Sequence, residues 1–126
     1  MKVHISFRVK HDWEDLEIFA ASLSFPISRI WKAGENRKTT QGVCLEGVYQ
    51  ESYCVFKIPS SIPTITEAIS VIRAELLAAP RLQPILMNLA YKKSLYCTLE
   101  AGGEILDVAA LSSLVNLGIA LEIDGG

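Results

Sequence analysis

Residues 3–10, Val3-His4-Ile5-Ser6-Phe7-Arg8-Val9-Lys10, decide how this chain is read. Apolar and polar side chains alternate with a period of two. That pattern describes a strand with one face on a core and the other in water. It returns at Ser94 to Glu100, where Leu95, Cys97 and Leu99 alternate with Ser94, Tyr96 and Thr98. One-faced alternation in both places argues for an antiparallel or mixed sheet with its helices on one side.

Three helical patterns lie around these strands. Asp12 is the expected N-cap of the first, supported by Asp15, with a stripe of Leu16, Phe19, Ala20 and Leu23 and a stop at Pro26. Thr64-Ile65-Thr66-Glu67 fits a capping box ahead of the stripe Ile65, Ile69, Ile72 and Leu76. Asp107 caps the third helix, whose stripe reads Val108, Leu111, Leu114 and Val115, and Gly118 stands where a left-handed C-terminal residue belongs. Ile119, Leu121 and Ile123 form a closing strand.

Residues 27–42 follow neither period. Gly34, Asn36, Thr39, Thr40 and Gly42 mark a mobile loop. Val43 to Ile58 reads as a strand or hairpin with a turn or bulge at Gly47. The expected order is β-α-β-α-β-α-β in a single α+β domain over residues 1–126. Strand-helix units open and close the chain, which is compatible with two related halves, as in ferredoxin-like sandwiches.

Composition narrows the function classes. The chain has 126 residues, half of them hydrophobic, with a formal net charge of -2. It is long enough for a real core, and nothing in its overall charge drives it toward nucleic acid or anionic membrane. The N-terminus alternates instead of running apolar, so no signal peptide is expected. No apolar run has the length of a membrane span, and a cytoplasmic location is expected. Cys44, Cys54 and Cys97 lie far apart in strand-like stretches and read as inert core thiols.

The most distinctive string is Ser28-Arg29-Ile30-Trp31-Lys32-Ala33-Gly34-Glu35, a tryptophan between cations ahead of a glycine and an acid. Together with the closing run Leu111 to Asp124 it resembles the bacterial family called domain of unknown function 4279. Gly42-Val43-Cys44-Leu45 departs from that family, which often carries a tryptophan there. The resemblance implies a small α+β protein and transfers no catalytic residues. Small proteins of this kind often accompany bacterial toxins as immunity partners, which is an analogy of context.

Catalysis is weakly signalled. His4 and His11 lie seven apart across a strand end, no local Cys-His pairing is visible, and Gly102-Gly103 lacks the lysine of a phosphate loop. No cofactor and no metal site are expected. Two other surfaces are candidates. Arg29, Lys32, Arg37 and Lys38 around Trp31 could hold an anion, a nucleotide or a partner. Asp12, Glu14, Asp15 and Glu17 at one strand-helix junction, with Glu100, Glu104 and Asp107 at another, could combine into an acidic surface for a basic partner.

The leading expectation is therefore a non-enzymatic module, monomeric or weakly dimeric, that neutralises a toxin domain by stoichiometric binding, with no nucleic-acid or membrane partner. The alternative is a housekeeping protein that binds a small anion or nucleotide in the loop around Trp31. Trp31 itself is expected to anchor that loop to the helix layer.

Overall fold

The alternation at the N-terminus forms a nine-residue strand, β1 (Val3–His11), whose Ile5, Phe7, Val9 and His11 are buried. The computed structural model describes residues 3–99 and 103–125. After β1 come a one-and-a-half-turn helix, α1 (Glu17–Ser22), and four strands: β2 (Ile27–Trp31), β3 (Asn36–Lys38), β4 (Cys44–Val48) and β5 (Ser52–Lys57). Helix α2 (Ile65–Ala78), a 3-10 turn (Pro80–Leu82), β6 (Lys92–Leu99), α3 (Val108–Leu117) and β7 (Ile119–Gly125) complete the order.

Five strands make one sheet in the order β2-β5-β1-β6-β7, and β3 pairs with β4 in a separate two-stranded ribbon. β1 is antiparallel to both β5 and β6, β2 is antiparallel to β5, and β7 is parallel to β6. The architecture is α+β with a mixed sheet. The order β2-β5-β1-β6 with α1 and α2 is the split β-α-β arrangement of ferredoxin-like folds. The topologically equivalent halves are thus β1-α1-β2 and β5-α2-β6. The opening and closing units are not the matching pair, because β6-α3-β7 joins adjacent parallel strands and is an addition to that core.

The core lies between the sheet and the helices. Phe7, Val9, Cys54, Phe56, Leu95 and Cys97 from the strands meet Leu16, Phe19, Ile65, Ile69, Ile72 and Leu76 from the helix layer. Among the described residues no helix lies over the other face. There the Arg8 guanidinium lies 4.2 Å over the Tyr96 ring, Lys10 lies 5.2 Å from the Tyr53 ring, and the Tyr96 hydroxyl donates to Asp124 at 3.0 Å. Cation–ring pairs and charged side chains of this kind suit a wet sheet surface.

Several expectations are corrected locally. Asp12 does not cap α1, which starts at Glu17 with Leu16 in the N-cap position and no side-chain cap bond from it. The turn before it is closed by His11, whose Nδ1 accepts from the amides of Trp13 and Glu14 at 3.1 and 2.9 Å. Thr64 does cap α2, accepting from the Glu67 amide at 3.1 Å. The carboxylate at that helix start belongs to Glu104, which accepts from the Ile65 and Thr66 amides at 2.8 Å and from the Thr66 hydroxyl at 2.7 Å. Asp107 and Gly118 cap α3 as expected, Gly118 with φ 65°. The buried stripe of α3 is Ala110, Leu114 and Leu117, and Val108, Leu111 and Val115 point outward.

Candidate functional site

Residues 27–42, expected to be a loop, supply two strands and much of the lining of a cavity. Ile27 to Trp31 adds to the sheet edge beside β5, with a register shift between Ile27 and Arg29. Ser28 to Glu35 is a tightly bonded corner. The Glu35 carboxylate accepts from the Lys32 amide at 2.7 Å, and the Ala33 amide donates to the buried Ser52 hydroxyl at 3.0 Å. The Gly34 amide donates to the Tyr49 carbonyl at 2.9 Å, at φ 87°, where a side chain would be strained.

Trp31 does not reach the helix layer. Its register partner is Tyr53, which faces Lys10 on the open side of the sheet. Its ring stacks on Tyr49 at 4.4 Å and 8°, and its Nε1 donates to the Glu51 carbonyl at 3.1 Å. The Tyr49 hydroxyl in turn accepts from the Lys38 amide at 3.1 Å. The Trp31–Tyr49 stack therefore joins the β3–β4 ribbon to the sheet edge. The space between them is a cavity of about 1090 Å³, lined by Arg29, Trp31, Arg37, Lys38, Thr39 and Tyr49 among others.

Three of the four sequence-selected cations thus reach one concave space. Among the described residues, no hydrogen bond or ion pair engages the head groups of Arg29 and Lys38, and Arg37 donates only to the Glu46 carbonyl at 3.4 Å. Glu35, the acid in the lining, is turned to the Lys32 amide. Lys32 lines a neighbouring cavity of about 390 Å³ with Asp15, Glu17, Trp31 and Glu35. The acidic junction after β1 and the Trp31 corner therefore adjoin at one end of the sheet.

The two acidic groups do not combine. β1 and β6 are antiparallel, with Val3 opposite Leu99 and Lys10 opposite Lys92. Asp12 to Glu17 follow the end of β1, and Glu104 and Asp107 follow the end of β6, so a strand length of roughly 25 Å separates them. Glu104 and Asp107 are also occupied as helix caps. Burial raises the Glu104 pKa, but its bonds from Thr66 and the Ile65 amide outweigh this and hold it below the ordinary range. Glu100 lies outside the described residues. Asp12 makes an exposed ion pair with Lys92 at 3.7 Å. At the centre of the acidic loop stands Trp13, two-thirds exposed, edge-on to His11 at 5.3 Å.

Other groups have structural roles. Burial pushes the Cys54 thiol up to about 12, with Glu17 adding to it, and Cys97 up to about 11, with help from Glu104. Such thiols carry almost no thiolate at neutral pH. Cys44 is exposed, contrary to the expectation of a core thiol. Lys93 is buried in β6, with its ammonium donating to the Leu86 carbonyl at 2.7 Å, and burial lowers its pKa. Its phase with Leu95 and Cys97 was the sequence signal that it points inward. Trp13 also carried a signal, as an aromatic ring among acids with no apolar stripe to join. Among the described residues no group of three or more His, Cys, Asp or Glu side chains is placed to hold a metal ion, and no helix is long and apolar enough to cross a membrane.

No protein-family model, curated protein or solved structure matches this chain. The likeness read in the Trp31 corner remains a resemblance, and the geometry alone carries the site.

Proposed function

We propose that this chain is a binding module rather than a catalyst, and that it holds an anionic ligand in the cleft between β2 and the β3–β4 ribbon. One observation carries the reading. Arg29 from the sheet edge and Arg37 and Lys38 from the ribbon line one cavity, where among the described residues no ion pair engages them and Glu35, the acid in the lining, is bonded to the Lys32 amide. Guanidinium and ammonium groups suit phosphate or carboxylate oxygens, and a site walled on one side screens them less than open water does. Ser28, Asn36, Thr39 and Thr40 add hydroxyl and amide groups to the lining. Trp31 serves as a wall, since Tyr49 already covers one of its faces.

Titration of inorganic pyrophosphate, citrate and ATP, followed by Trp31 fluorescence in a Trp13→Phe background, tests this. Saturable quenching is expected, with affinity falling about tenfold for each of Arg29→Gln, Arg37→Gln and Lys38→Gln. A flat response across the three probes defeats the proposal.

A second reading keeps the toxin-immunity expectation, and the exposed Trp13 favours it. An exposed tryptophan flanked in sequence by Asp12, Glu14, Asp15 and Glu17 has the composition of an interface anchor for a basic protein. Co-purification with the product of the neighbouring gene, lost on Trp13→Ala with Asp15→Lys, is its expected outcome. If nothing co-purifies with the unmodified chain, this reading fails.

A further inference from the structure

We infer that two copies of this chain associate through the β7 edge, so that their sheets join into one of ten strands and their α3 helices pack side by side. This goes beyond the cleft and does not depend on it. Two observations at the same edge carry it.

The first is the strand. β7 occupies the end of the sheet, pairs with β6 in unbroken register from Lys93–Ile119 to Leu99–Gly125, and has no partner on its outer side among the described residues. The opposite edge is different. β2 carries a register shift and Arg29, devices that blunt edge pairing, and the ribbon stands beside it.

The second is the helix above. Val108, Leu111 and Val115 recur at i, i+3 and i+7 on one flank of α3, away from its buried stripe. Ile105, Val108 and Val115 are more than three-quarters exposed, and Leu111 and Ile123 nearly half. α2 packs on α3 from the side of the sheet centre. A right-handed crossover from β6 to β7 turns the apolar flank the other way, over the free edge. Helix α3 runs back over β7, so Ile105 and Val108 lie toward the Ile123 end.

These five side chains expose roughly 500 Å² of apolar surface, at the upper end of what a monomer shows. Two facing patches give about 1,000 Å², the threshold for a specific interface before strand pairing is added.

A second copy is the occupant that fits both features at once. A strand pairs with its own copy antiparallel about a two-fold axis, and that axis brings the two α3 flanks together on the same face. Centring the pair on Leu121 places Ile123 opposite the partner's Ile119 and Glu122 opposite the partner's Ala120. The apolar seam then continues across the axis and the carboxylates avoid each other.

Light scattering after size exclusion, from about 1 to 100 μM, reads the mass. Twice the chain mass of 13.9 kDa is expected. The double variant Val108→Asp, Val115→Asp is expected to run at the single-chain mass with unchanged circular dichroism and melting, since both residues are exposed. In a Cys44→Ser background, Leu121→Cys is expected to oxidise to a linked dimer. A monomeric unmodified chain at 100 μM overturns the inference. So does a dimer that survives the double variant, or one that Leu121→Cys does not cross-link.

Discussion

Replacing Glu104 with alanine removes the carboxylate that closes the start of α2, although that residue comes from 38 or 39 positions further along the chain. Three donors lose their acceptor: the amides of Ile65 and Thr66 and the Thr66 hydroxyl. Bonds to a charged acceptor contribute up to about 3 kcal/mol each, but water reaches this partly exposed corner and restores part of the loss. A helix-start anion also interacts favourably with the helix dipole, by about 0.3–1 kcal/mol. A net cost of about 2 kcal/mol follows, or roughly 6–10 °C in Tm for a domain of this size. Glu104→Gln keeps the shape without the charge and should cost about half as much.

The pH dependence of that cost has a definite sign. The folded-state pKa of Glu104 lies below its ordinary value of 4.5, so its contribution is complete above that value and is lost as pH falls through the folded pKa. Urea unfolding followed by circular dichroism at a series of pH values measures both effects. The curves for the unmodified chain and Glu104→Ala should converge as the pH is taken below 4.5. A difference under about 0.5 kcal/mol at neutral pH, or a gap that does not narrow in acid, refutes the assignment of Glu104 as the helix cap.

Three further outcomes concern the buried thiols and the C-terminal cap of α3. Thiol titration of the folded chain should show one fast-reacting cysteine, Cys44. Cys54 and Cys97 should react only on unfolding, and two or more fast thiols would contradict their burial. Because burial raises these two thiols above 9.0, the stability they contribute is complete below that pH and declines as pH rises toward their folded values of about 12 and about 11. Gly118→Ala should cost about 1–2 kcal/mol in thermal melts, from the left-handed backbone alone. An added Cβ would meet only the Lys93 ammonium, at an ordinary 3.8 Å, so a neutral Gly118→Ala variant would show that the φ of 65° is not held.

What the sequence disclosed depended on whether an element has one buried side. β1 and β6 do, and Ile5, Phe7, Val9, Leu95 and Cys97 announced it. α2 was equally legible, through Thr64 and its isoleucine stripe. β2 and β3 are exposed along nearly all their length, so no alternation marked them. α3 is apolar on more than its core side, so Val108 and Val115 looked like core residues. The basic string around Trp31 was visible, but Tyr49, which turns it into a cleft wall, arrives only through the ribbon. The acidic groups were visible too. Sequence order does not say which way a strand runs, and the antiparallel pairing of β1 with β6 sends the two groups to opposite ends.

The central place of β1 also orders events during synthesis. β1 finds neither lateral partner until β5 and then β6 have followed, because its neighbours are residues 52–57 and 92–99. At roughly 5–20 residues per second on the ribosome, Phe7 and Val9 spend several seconds without the strands that bury them. Any product ending before Lys92 would keep one edge of β1 open for good. Forms that end before β6 should therefore be prone to aggregate, while a chain that includes β6 closes both sides of β1 late.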